Sequence, residues 1–161
     1  MPFRRFRIAT RLSPEEVRAR LQTITRKRVG VWEALTRSFR PRPADPLFVG
    51  YVSPAGFKLH RDIRYGNSFL PLIRGRVRAG TADETVVTIT MALPVFTAAF
   101  MLAWFAGVTF VIAVAIPEFL ASGNPIALGA LAMLGGGVAL VWFAFYPEAH
   151  KAERILRQVL E

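Results

Sequence analysis

Residues 95–116 read VFTAAFMLAWFAGVTFVIAVAI and residues 125–146 read PIALGALAMLGGGVALVWFAFY; neither run contains a charged side chain. A hydrocarbon core ~30 Å thick needs ~20 mostly apolar residues in a helix, so each run is long enough to cross one. In a soluble protein both would have to be hidden on every side, and the remaining residues are too few to do it. A two-helix transmembrane hairpin is therefore expected over residues 92–146. The connector Pro117-Glu118-Phe119-Leu120-Ala121-Ser122-Gly123-Asn124 is rich in helix breakers and turn formers. Asn124 before Pro125 fits a helix start, with the asparagine as N-cap and proline at the first helical position.

Outward from the hairpin the charge is lopsided. The 161-residue chain is 53% hydrophobic with a mean hydropathy of +0.35, yet its formal net charge is +10. Residues 1–91 hold 18 Lys and Arg against 7 Asp and Glu, residues 92–146 hold Glu118 alone, and residues 147–161 hold three charges of each sign. Lys and Arg near the ends of a span mark its cytoplasmic side. Arg74, Arg76 and Arg78 precede the first run, Lys151, Arg154 and Arg157 follow the second, and the connector has neither residue type. Both termini are expected in the cytoplasm. The start Met1-Pro2-Phe3-Arg4-Arg5-Phe6-Arg7 has no apolar stretch behind it, so no cleaved signal is expected and the first run would serve as its own.

Residues 1–91 suit one small basic α+β domain. Ser13 as N-cap, Pro14 at the first helical position and Glu16 three residues on form a capping box, with Leu12 and Val17 placed for a hydrophobic staple. Val17, Leu21 and Ile24 then share one face, which predicts a helix over about 14–27. Past the proline-broken basic linker 37–46 the period changes to two. Strands are expected over Leu47–Val52, Phe57–Arg64, Leu72–Arg78 and Thr85–Met91, with an extended segment around Phe6 and Ile8 before the helix. The order β-α-β-β-β-β implies an antiparallel sheet with one wet face and one face covered by the helix. Residues 147–161 place Ala152, Ile155, Leu156, Val159 and Leu160 at helical spacing, so a short amphipathic helix is expected after the second span, packed by default on the domain's own sheet.

Several residues invite functional readings. Lys58, His60 and Arg64 on one strand and Arg74, Arg76 and Arg78 on the next are expected on one sheet face. Such a face is either merely solvated or binds anionic lipid headgroups, each Lys or Arg contributing ~1 kcal/mol near an anionic leaflet. Nucleic acid is disfavoured, since no reading helix or stacking motif accompanies the charge. Ala99, Ala103 and Gly107 recur every four residues, as do Ala132 and Gly136; such stripes let helix backbones approach, within the hairpin or between copies. Neither run has an ionisable residue at mid-depth, which argues against a channel or pump.

Catalytic and metal chemistry find little support. There is no cysteine, which excludes disulfide frameworks and thiolate sites. Two histidines far apart do not make a metal cluster, and no metal or other cofactor is expected. His60, Asp62 and Ser68 are the makings of a triad, but no nucleophile elbow accompanies them. An enzymatic or small-ligand pocket, if the domain has one, would gather Tyr51, His60, Arg61 and Asn67.

The stretch Gly56-Phe57-Lys58-Leu59-His60-Arg61-Asp62-Ile63-Arg64-Tyr65-Gly66-Asn67-Ser68-Phe69-Leu70-Pro71-Leu72-Ile73-Arg74-Gly75 resembles one in small uncharacterised bacterial membrane proteins. In those an Arg-Asn-Ser-Phe-x-Pro-like turn precedes a strand and a membrane hairpin; Gly66 stands here where that pattern has Arg or another polar residue. The resemblance covers residues 47–110 and implies a bacterial inner-membrane protein with a cytoplasmic head. It brings no activity and no catalytic residue. The expectation is a non-enzymatic membrane protein whose basic domain meets anionic lipid or a protein partner, as a homo-oligomer or as an accessory subunit of a larger complex.

Overall fold

A computed structural model of the chain describes residues 2–27, 47–63, 65–80 and 84–161. They form an α+β arrangement in the order β1 (Phe3–Thr10), α1 (Pro14–Thr23), β2 (Thr25–Lys27), β3 (Phe48–Ser53), β4 (Gly56–Arg61), β5 (Leu72–Ala79), β6 (Thr85–Ala92), α2 (Val95–Ser122) and α3 (Ile126–Leu160). The linker 37–46 and Arg64 lie outside the described residues.

The six strands make one sheet in the order β1-β6-β5-β4-β3-β2. Strands β3 to β6 are an antiparallel meander, because short turns can join only antiparallel neighbours. β1 closes on β6 over its full length, from Phe3 opposite Ala92 to Thr10 opposite Thr85. The sheet is mixed where a wholly antiparallel one is expected: β2 runs parallel to β3, with Thr25 opposite Phe48. This also shortens the first helix, which stops at Thr23 instead of reaching Lys27. Thr23, Ile24 and Thr25 are consecutive β-branched residues, poor in a helix and good in a strand. The opposite end of α1 is as the capping signals require. The Glu16 N–H donates to Ser13 Oγ at 3.2 Å and the Ser13 N–H donates to Glu16 Oε2 at 2.7 Å.

One sheet face carries the core. Ile8, Phe48, Phe57, Leu59, Ile73, Val87, Ile89 and Met91 bury against Val17 and Leu21 of α1. Phe57 lies across Gly75 on the neighbouring strand; a Cβ at Gly75 would sit 2.0 Å from the ring, so only glycine leaves the phenyl its place. The same core receives Phe145, Ala149, Ala152, Leu156 and Leu160 of α3. Those five recur at steps of four, three, four and four, one face of a helix. Two helices therefore cover the sheet instead of one. Residues 147–160 form no separate tail helix, since the 35-residue α3 runs on through Pro147 to Leu160. Pro147 has no N–H to give Phe143 and its ring crowds that carbonyl, yet burial of the following turns holds the helix together.

The first part of α3 lies against α2. Met101, Val108 and Ala115 are buried and Phe105, Ile112 and Phe119 half-buried along α2. Ala127 and Ala130 are buried, and Leu134, Gly137, Val141 and Ala144 half-buried, along α3. Both sets follow steps of three and four, the seven-residue repeat of a left-handed helix pair. The four-residue stripes are not on this seam. Ala99, Ala103, Gly107, Ala132 and Gly136 are all exposed, and nothing lies within 4 Å of a Cβ built on Gly107 or Gly136. A stripe repeating every four residues turns 40° per step around a helix of 100° per residue, so it leaves a heptad seam after two steps. The close approach is at Gly137, where a Cβ would sit 3.1 Å from the Phe105 ring. Away from the seam the helices present apolar side chains outward, Phe96 being 90% and Phe143 73% exposed. Both helices are long and apolar enough to cross a membrane.

Candidate functional site

The sheet face away from the core is cationic, and the strand register assembles it. Arg5 on β1 faces Thr90 on β6, Thr90 faces Arg74 on β5, Arg74 faces Lys58 on β4, and Lys58 faces Tyr51 on β3. With neighbouring strands ~4.8 Å apart, this is one continuous row across five strands. Two residues along, a second row sets Arg7, Thr88 and Arg76 side by side, and a third sets Ala9, Val86 and Arg78. In the opposite direction the row before Arg5 is apolar: Phe3, Ala92 and Leu72. That apolar row borders the start of α2, because Ala92 leads through Leu93 and Pro94 to Val95. The rows line a shallow cup of about 680 Å³ that holds Arg5, Lys58, Arg74 and Arg76 with the hydroxyls of Thr88, Thr90 and Tyr51, and no acidic residue.

Like charges directly opposite one another in a sheet are destabilising, as with Lys58 and Arg74. Compensation is absent: Arg5, Arg7, Lys58, Arg74, Arg76 and Arg78 have no ion-pair partner among the described residues. Among the described residues, Arg4 and Arg61 on the core side of the sheet are both paired. Arg4 pairs with Glu153 of α3 at 2.6 Å and Arg61 with Glu148 of α3, while Arg26 of β2, opposite Val49 and so on the outer face at the sheet's far edge, pairs with Asp62 at 2.6 Å. On the outer face Arg26 at the β2 edge is paired, while the cations of the cup have no ion-pair partner among the described residues.

A second polar cluster ties the sheet to the two long helices. Glu148 is buried (3% exposed) and accepts from Arg61, from the Tyr65 hydroxyl at 2.6 Å and from Lys151 Nζ at 3.3 Å. Burial alone would push its carboxyl upward, but the Tyr65 hydroxyl, then Arg61 and Lys151, outweigh that and hold it below the usual glutamate range. The bond to Glu148 in turn raises the Tyr65 phenol. Farther along the same turn Asn67 Nδ2 donates to the Ala144 carbonyl at 3.1 Å, its Oδ1 accepts the Phe69 N–H at 2.9 Å, and the Ser68 carbonyl accepts the Thr97 hydroxyl at 2.8 Å. The Asn67-Ser68-Phe69 turn thus grips α3 through its asparagine and α2 through its serine carbonyl. Phe69 borders an apolar groove of about 720 Å³ between the helices, lined by Phe100, Trp104 and Leu140 among others.

Lys58, Arg74, Arg76 and Arg78 share one face, and His60 stands on that face two residues from Lys58 with Nδ1 3.0 Å from the Val49 carbonyl. The ligand pocket imagined around Tyr51, His60, Arg61 and Asn67 does not assemble. Tyr51 lies on the outer face, Arg61 crosses to the core side, and Asn67 is spent on α3. Asp62 pairs with Arg26, which argues against a triad. No cluster of three metal-ligating side chains occurs among the described residues. Arg5, Thr88 and Thr90 were not singled out from sequence, although Arg5 and Arg7 alternate with Phe6 and Ile8 as plainly as the later strands do. Glu148 gave no signal at all, being one acid among several in a mixed-charge tail. Comparison with protein-family models, curated proteins and solved structures returns no match.

Proposed function

We propose that the chain is a two-span bacterial inner-membrane protein with both termini in the cytoplasm, whose basic α+β domain is held against anionic lipid headgroups. The observation that carries this reading is where the apolar surface lies. Only 17% of the most apolar window of α2 and 11% of that of α3 is buried, the reverse of what a core helix of a soluble protein requires. Lipid is the solvent those surfaces suit. The outer sheet face continues the pattern: an apolar row beside α2, then unpaired cations ~7 Å farther along the strands. Cations at that remove suit the headgroup layer, and their long stems can cover apolar surface on the way. The role is anchoring and contact, with the Asn67 turn and Glu148 transmitting any force on the domain to the spans.

The absence of native cysteine makes topology directly measurable. Ala121→Cys in the last turn of α2 should react with a membrane-impermeant thiol reagent from the periplasmic side, and Arg154→Cys only after permeabilisation. The opposite pattern refutes the orientation, and labelling of both from one side refutes the spans. Headgroup contact is read by hydrogen exchange of the full-length protein in nanodiscs. Strand β5 should be protected by anionic lipid relative to neutral lipid. Identical exchange in the two rejects the lipid role.

A further inference from the structure

The outer face has more structure than a diffuse positive surface needs. A membrane-facing patch that works by net charge alone requires only that cations be many, and any register serves. Here Lys58 and Arg74 are direct cross-strand neighbours, so their head groups can converge on one anionic group. Arg5 and Arg76 flank that pair, so the four cations spread over more than the width of one phosphate. Arg5 lies two strands from Arg74 with Thr90 between them, and Arg76 lies two residues farther along β5, ~7 Å away. Thr90 and Thr88 stand between the flanking arginines, with hydroxyls that can donate to the same anion. The four cations line one cup, none has an ion-pair partner among the described residues, and Gly56 in its floor admits no side chain. A Cβ there would lie 2.3 Å from the Gly75 carbonyl oxygen, at a φ of +144° that other residues rarely adopt.

We propose that this cup is a discrete binding site for an anion carrying two phosphate groups, one held by Lys58 and Arg74 and the other by Arg76 or Arg5 with the threonine hydroxyls. Arginine suits the task because its planar fork takes phosphate oxygens two at a time. A single phosphate engages one pair and leaves the remaining cations uncompensated, whereas a two-phosphate anion neutralises the cup. The chemistry is shared by a two-phosphate lipid headgroup and by a soluble diphosphate. The inference rests on the reading of this face as anion-facing and sharpens it from charge to stoichiometry.

The test uses the full-length protein. In detergent, isothermal titration with inorganic pyrophosphate should saturate at one per chain and be at least ten-fold tighter than with inorganic phosphate. Lys58→Ala and Arg74→Ala should each weaken it about ten-fold, while Arg154→Ala, which removes the same charge from α3, should change it less than two-fold. In nanodiscs, cardiolipin, which carries two phosphates, should protect β5 from hydrogen exchange more than phosphatidylglycerol does at matched total charge. Protection by cardiolipin without pyrophosphate binding assigns the site to a headgroup, and pyrophosphate binding without that preferential protection assigns it to a soluble anion. Equal response to both lipids together with equal binding of phosphate and pyrophosphate overturns the two-phosphate site and leaves the anionic-lipid reading standing. Indifference to all four overturns both. A loss in Arg154→Ala as large as in Arg74→Ala overturns the site as well, because only net charge would then matter.

Discussion

Replacing Glu148 with leucine would leave the Arg61 guanidinium and the Tyr65 hydroxyl facing an apolar side chain at the junction of sheet and α3. The Glu148 side chain is 4% exposed and that of Arg61 is 20% exposed. Removing one partner of a fully buried pair costs ~3–5 kcal/mol, and the residual exposure of Arg61 brings this to about 2–3 kcal/mol. For a chain of this size ~1 kcal/mol moves Tm by ~2–4 °C, so Glu148→Leu should unfold about 5–10 °C below the unmodified protein. Arg61→Met should also lose stability, because the buried carboxylate then keeps only the Tyr65 hydroxyl and Lys151. The double variant should return to within about 1 kcal/mol of the starting point, since two apolar side chains of similar size carry no desolvation cost. Thermal unfolding of the four proteins in one detergent, followed by circular dichroism, gives the coupling energy directly. Single losses that merely add in the double variant would refute the view that the pair acts as one buried unit.

The same carboxylate sets a pH dependence. Its folded value is depressed, so the stability it contributes is complete above the ordinary glutamate range near ~4.3 and is lost as pH falls through the lower folded value. Glu148→Gln should flatten the acid limb of Tm against pH, and an unchanged slope would place the acid sensitivity elsewhere. Ser13→Ala removes the side-chain half of the capping box and should cost ~1 kcal/mol, read as a fall of a few degrees in Tm, with Ser13→Asp restoring it. Gly75→Ala drives a methyl into the Phe57 ring and should cost ~1–3 kcal/mol, part of which Phe57→Val in the same chain should recover. Leu156→Ala leaves a cavity between α3 and the sheet and should cost ~2–5 kcal/mol, destabilising β-sheet amides that lie far from it in sequence; hydrogen exchange of β5 and β6 reads that spread.

Much of this protein is legible one segment at a time. The capping box at Ser13 and the alternation in β5 and β6 are local signals, each satisfied within a few residues. So are the two uncharged 22-residue runs, whose composition sets their solvent whatever they pack against. The basic outer face follows the same way, because a strand of alternating Arg and apolar residues has only one way to bury its apolar side. Three features needed the assembled chain. β2 is a strand because the edge of β3 is there to receive it, an opportunity that local propensity over 14–27 does not contain. The small residues that matter at the α2–α3 contact lie on the heptad through Ala127, Ala130 and Gly137, since the crossing of two helices, not the abundance of glycine, chooses the face. The cationic cup and the Glu148 clamp join residues from five strands and from segments more than 80 positions apart. Sequence by itself determined which residues seek apolar surroundings and which seek water, because that preference belongs to each side chain. Tertiary structure decided which charges are paired and which stand free, because pairing is a property of distance.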